Sequence, residues 1–121
     1  MARFLVHVHT GPGDPNKVTL GALVAAQAAA DGHGVTLFFA GDGVACLAPG
    51  VPATLEGCGT GRLSDHLAAL GAAGGEVCVS RLSAAARGLG AGVLEIPAPA
   101  RLATPDMLVA LAAAADTVLC Y

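Results

Sequence analysis

The sequence predicts an α/β fold: a single-domain three-layer α/β/α sandwich built on a mainly parallel five-stranded sheet, with residues 1–121 as one domain. Three observations predict it. Short apolar, β-branched runs alternate with longer runs at helical spacing along the whole chain. The first strand run is nearly continuous in apolar residues, as in a parallel strand covered on both faces. Clusters of Gly, Pro, Asp and Asn punctuate the joins.

The first strand reads from Arg3 to His9, around Phe4-Leu5-Val6-His7-Val8. The loop Thr10-Gly11-Pro12-Gly13-Asp14-Pro15-Asn16 follows, with Asp14 or Asn16 placed to cap a helix that runs to about Asp31. Leu20, Leu23, Val24 and Gln27 mark one face of that helix, and Gly32 and Gly34 stop it. The second strand is Val35–Ala40, ending in a sharp turn at Gly41-Asp42-Gly43, with Val44 to Leu47 as a short helical turn. Ala48 to Gly61 reads as the longest irregular piece. A second long helix carries Leu63, His66, Leu67 and Leu70 in phase and ends at Gly71 or Gly74.

The third strand is Glu76-Val77-Cys78-Val79. Ser80 is placed to cap a helix in which Leu82, Ala85, Ala86 and Leu89 fall at helical spacing. Gly92–Ile96 reads as a fourth strand closed by Pro97 and Pro99. Thr104-Pro105-Asp106 starts the last helix, with a capping Thr, Pro at the first helical position and an acid in the first turn. Thr117–Tyr121 is the last strand.

Composition narrows the function classes. With 55% hydrophobic and 12% charged residues, the chain has little polar surface, so a homo-oligomer that hides part of its outside is expected. A net charge of −3 without a basic run argues against nucleic acid as a partner. No stretch is long and apolar enough for a membrane span, and the N-terminus lacks the pattern of a signal peptide, so a cytoplasmic location is expected. Cys46, Cys58, Cys78 and Cys120 form no Cys-x-x-Cys pair, which argues against a zinc knuckle or a thioredoxin-type site. In a reducing compartment they are expected as thiols.

Three places could carry chemistry. Cys78 is the first: it sits near the carboxyl end of a strand just before a helix start, where open α/β sheets place working groups. Helix amides and Arg81 would lower its pKa, and His9, at the end of its own strand, would line the same cleft. A thiolate there suits sulfur transfer by thiol exchange, with Cys78 as the reactive residue and Ser80, Arg81 and His9 supporting it. The bland reading is a buried cysteine that only fills space. The loop from Thr10 to Asn16 is the second place; its prolines remove amide donors, Asp14 repels anions, and it matches no nucleotide fingerprint. The histidines are the third. His7 and His9 share a strand face, but a metal site would need His66, Cys46 or Cys58 to converge on them, and no cofactor or metal is expected. His33 reads as a solvated turn residue, and Cys46, Cys58 and Cys120 are assigned no role.

Several stretches together resemble the DsrE/DsrF-like (TusD-like) sulfur-relay family. They are Leu37-Phe38-Phe39-Ala40-Gly41-Asp42-Gly43-Val44, Val77-Cys78-Val79-Ser80 with Ala86-Arg87-Gly88 after it, and Asp116-Thr117-Val118-Leu119-Cys120-Tyr121. The resemblance spans nearly the full length. It implies a persulfide-carrying cysteine at Cys78, a homo-oligomer such as a trimer or hexamer, and a donor or acceptor protein for the sulfur. The leading expectation is a sulfur carrier or sulfurtransferase-like protein. The alternative is a non-catalytic oligomeric scaffold, or a small-ligand or nucleotide-binding protein, with Cys78 buried.

Overall fold

The computed structural model describes residues 1–90, 92–96 and 100–121. Its elements are β1 (Arg3–Val8), α1 (Pro15–Ala30), β2 (Gly34–Phe39), a 3-10 helix (Gly41–Leu47), α2 (Val51–Thr54), β3 (Glu56–Gly57), β4 (Gly61–Arg62), α3 (Leu63–Ala72), β5 (Glu76–Ser80), α4 (Arg81–Ala86), β6 (Ala100–Ala103), α5 (Pro105–Ala114) and β7 (Thr117–Cys120). Five strands form one parallel sheet in the order β6-β5-β2-β1-β7, as the alternation predicts. The central strands carry the sequence's apolar runs. Val6, Val8, Leu37, Phe39, Val77 and Val79 face one side; Leu5, Phe38 and Cys78 face the other.

The two sides are covered unequally. The Val6/Phe39 side is packed by α1, α3, α4 and the 3-10 helix, which contribute Val18, Ala25, Leu67, Ala84, Val44 and Leu47 to the main core. Among the described residues, α5 is the helix that covers the opposite side. Met107, Leu108 and Leu111 pack over Leu5, Phe38, Cys78 and Ala103, yet no residue of α5 is fully buried.

The face of α1 is inverted relative to the expectation. Val18, Ala22, Ala25, Ala26 and Ala29 are buried, whereas Leu20, Leu23 and Gln27 are exposed. The sheet already supplies bulk through Leu37 and Phe39, so the helix approaches closest through its small residues. Gly21 extends this: a Cβ there would press against the Tyr121 ring. Asp14 caps the helix, accepting from the Lys17 amide at 3.3 Å.

Two further expectations are corrected. The segment from Ala48 to Gly61 is ordered, as α2 and a two-stranded antiparallel hairpin of β3 and β4. Side-chain bonds clasp that hairpin to its surroundings. Thr19 Oγ1 and Thr60 Oγ1 share a hydrogen bond of 2.6 Å, Asn16 Oδ1 accepts from the Cys58 amide at 2.7 Å, and His66 Nε2 donates to the Thr60 carbonyl at 2.6 Å. The fourth strand of the sheet is Ala100–Ala103, not Gly92–Ile96. Instead, the Glu95 amide donates to the Leu47 carbonyl at 2.7 Å, and Leu94 and Ile96 lie on the main core as an outer cover. Pro97 and Pro99, expected to close that strand, lie outside the described residues.

Candidate functional site

Cys78 lies mid-way along β5, two residues before the strand ends, and its side chain is 0% exposed. Parallel registers run Cys120, His7, Phe38, Cys78 and Arg101 in one row across β7, β1, β2, β5 and β6. Alternation along each strand puts these side chains on the α5 side of the sheet. Around the thiol, β2 brings Phe38, Ala40 follows the end of that strand, and α5 brings Met107, Leu108 and Leu111.

The charges near the thiol come from two residues on that same face. Glu76 is two residues before Cys78 on β5, and Arg101 stands opposite Cys78 on β6. The Arg101 guanidinium donates to Glu76 Oε1 at 3.0 Å, and the Thr36 hydroxyl reaches the same oxygen at 3.5 Å. Burial pushes the Cys78 thiol up from its usual range. The Arg101 charge pulls it back, and the Glu76 carboxylate adds to the rise. Arg101 therefore acts on the thiol through its charge and through a side-chain hydrogen bond, while it also donates to Glu76.

The supporting residues expected from the sequence stand elsewhere. Ser80 caps α4, accepting from the Ser83 amide at 3.2 Å. Arg81 is exposed and starts a helix whose core residue, Ala84, packs on the opposite side of the sheet from Cys78. The expected lowering of the thiol by helix amides and Arg81 is thus replaced by a net rise from burial. His9 ends the β1 run, exposed, and β2 separates it from Cys78. Its ring meets His7 edge-on at 5.5 Å, and His7 meets Phe38 at 5.7 Å and 90°. Burial, then the His9 charge, lowers the His7 pKa, and His7 Nε2 has no hydrogen-bond partner among the described residues.

The other thiols are scattered. Cys46 is fully buried in the main core, donates to the Thr10 carbonyl at 3.5 Å and is pushed up to about 12. Cys58 is exposed in the hairpin and Cys120 is exposed on the edge strand β7. No three His, Cys, Asp or Glu side chains among the described residues converge as a metal site. The loop after β1 borders a groove of about 380 Å³ lined by Gly11, Asp14 and Asp42, which suits an anion poorly. His33 is not a free turn residue: its Nδ1 accepts from the Ala2 amide at 2.9 Å.

Arg101 and Glu76 are the charged neighbours of Cys78 that the sequence reading does not pick out. The spacing Glu76-x-Cys78 places both on one strand face, and assigning a strand to Ala100–Ala103 brings Arg101 opposite them.

The model of the DsrE/DsrF-like family matches residues 2–121. The chain belongs to this family. Among solved structures, the YchN protein from E. coli is similar to this DsrE/DsrF-like chain at a TM-score of 0.80 and 18% sequence identity, with 100% of each chain covered. That likeness shows the fold. No curated protein matches the sequence. No helix among the described residues is long and apolar enough to cross a membrane.

Proposed function

We propose that this DsrE/DsrF-like chain is a sulfur carrier that holds sulfane sulfur as a persulfide on Cys78 and passes it to a partner thiol. One observation carries the reading: Cys78 has a cationic side chain, Arg101, directly across from it in the register of β5 and β6. The family is generally associated with sulfur relay, which agrees. In loading, the Cys78 thiolate attacks the outer sulfur of a donor persulfide R–S–SH. The donor S–S bond breaks, R–S⁻ leaves, and Cys78–S–SH remains. In unloading, an acceptor thiolate attacks that outer sulfur and Cys78–S⁻ is released. Neither step needs an external oxidant or reductant.

Access comes through α5. This helix buries none of its residues fully and is the lone helical cover over Cys78 among the described residues, so its displacement exposes the thiol at low cost. A homo-oligomer, trimer or hexamer, accounts for the apolar side chains left outside: Leu20 and Leu23 on α1, Val109 on α5 and Val118 on β7.

The test is intact-protein mass spectrometry after incubation with a sulfane-sulfur donor, on wild type and on Cys78→Ser. A gain of one or more sulfur masses, absent in the variant and reversed by reductant, supports the carrier. A second reading, an oligomeric scaffold in which Cys78 is core, is favoured by the complete burial of the side chain. It predicts no adduct and a native thiol that resists alkylation.

A further inference from the structure

A sulfur anion at Cys78 would stand in an apolar layer. Phe38 from β2, Ala40 just after that strand, and Met107, Leu108 and Leu111 from α5 offer it neither charge nor hydrogen bond. The described titratable or charged groups bearing on the thiol are Glu76 on its own strand and Arg101 on β6. A buried anion without a cation is strongly disfavoured. Arg101 is shared, however: it reaches the thiol and is also bonded to Glu76 at 3.0 Å. That pair is open to water, with side chains 52% and 39% exposed. Such pairs hold their partners weakly and exchange them readily.

We propose that Arg101 is the counter-cation of the sulfur anion at Cys78, shared with Glu76 while Cys78 is a neutral thiol and drawn fully to the sulfur when Cys78 carries a thiolate or persulfide anion. This rests on the carrier reading and deepens it. Glu76 is then a competitor. It holds a share of the guanidinium between turnovers and draws it back once the sulfur has left. The register supplies the geometry: Arg101 lies directly across from Cys78, and Glu76 one place further along the same face. The sequence motif around Cys78 contains no other cation in a position to do this, because Arg81 opens α4 and Arg87 is paired with Asp42 at 2.8 Å.

The test uses the full chain with Cys58 and Cys120 changed to Ser, so that alkylation reports Cys78. The rate with iodoacetamide is followed by mass as a function of pH for this parent, Arg101→Gln, Arg101→Lys and Glu76→Gln, and each protein is also loaded from a sulfane-sulfur donor. Arg101→Gln should move the midpoint up by about one pH unit, a tenfold loss of thiolate at neutral pH. Glu76→Gln should move it down, and Arg101→Lys should stay near the parent. The persulfide should survive for a shorter time on Arg101→Gln. If both neutral variants merely speed alkylation with the midpoint unmoved, the pair is a steric cover and the proposal is overturned, while loading of the parent leaves the carrier reading standing. If the parent takes up no sulfur, the carrier reading falls and this proposal with it.

Discussion

Arg101 stands opposite Cys78 in the parallel register of β5 and β6, and its guanidinium, bonded to Glu76 at 3.0 Å, is shared between that carboxylate and the sulfur. The relationship sets the charge at the thiol. Burial and Glu76 hold Cys78 protonated at rest, and Arg101 is the group near enough to oppose them.

Cys78 also packs the layer beneath α5, so its substitutions should differ in stability. Cys78→Ser places a hydroxyl among Leu5, Phe38 and Met107, where it would lose hydrogen bonds to water. The expected cost is about 1–3 kcal/mol, read as a lower urea midpoint. Cys78→Ala should cost less, since it removes only a small side chain and buries no polar group. Equal midpoints for the two would contradict the dry, apolar surroundings assigned to the thiol.

Stability should fall on the alkaline side. Cys46 is pushed up to about 12 in the folded chain, above an unfolded value of about 8.5. The unfolded chain therefore releases this proton first, and folding stability is full below that unfolded value and declines as pH rises toward about 12. Cys78, raised in the same direction, adds to the decline. The slope approaches about 1.4 kcal/mol per pH unit for each such thiol. Chemical denaturation at pH 8 and pH 10 should show wild type losing more stability than Cys46→Ala.

The acid side has its own group. His7 is lowered by burial and by His9, so the unfolded chain takes up the proton first as pH falls. Its contribution is present above the unfolded value of about 6.5 and is lost as pH drops through the folded value. Between pH 7.5 and 5, the melting temperature of wild type should fall further than that of His7→Phe, which also removes the unpartnered Nε2. Parallel curves would show that His7 does not titrate differently on folding.

The hairpin of β3 and β4 should depend on Thr19. This residue is 0% exposed, and its hydroxyl bonds to Thr60 Oγ1 and to the Pro15 carbonyl at 2.7 Å. Thr19→Val leaves the Thr60 hydroxyl without that partner, at a cost of about 1–3 kcal/mol. Hydrogen exchange should speed at the Cys58 amide, which is tied to Asn16 in the same clasp. Unchanged exchange there would mean that the backbone alone holds the hairpin.

How far the sequence led depended on where each element sits. Phe4–Val8, Val35–Phe39 and Val77–Val79 announce themselves because central parallel strands are apolar on both faces. Ala100–Ala103 does not: it is an edge strand that carries a charged side chain, while the more strand-like Leu94 and Ile96 serve as an outer cover. Missing that strand hid Arg101, because a residue outside the sheet has no register. The face of α1 was misread for a related reason. Hydrophobic size pointed to Leu20 and Leu23, whereas close packing on Leu37 and Phe39 selects alanine. The strand around Cys78 is legible in the sequence, but the side on which its thiol points follows from pairing and packing that no local motif encodes.

Peptide-level mapping of sulfane sulfur over the four cysteines decides the carrier assignment. The wild-type protein is loaded from a sulfane-sulfur donor, the persulfides are trapped by alkylation before digestion, and each cysteine peptide is weighed. The carrier assignment predicts added sulfur on Cys78, despite its burial, in preference to the exposed Cys58 and Cys120. Sulfur confined to Cys58 or Cys120, with Cys78 unmodified, would contradict it.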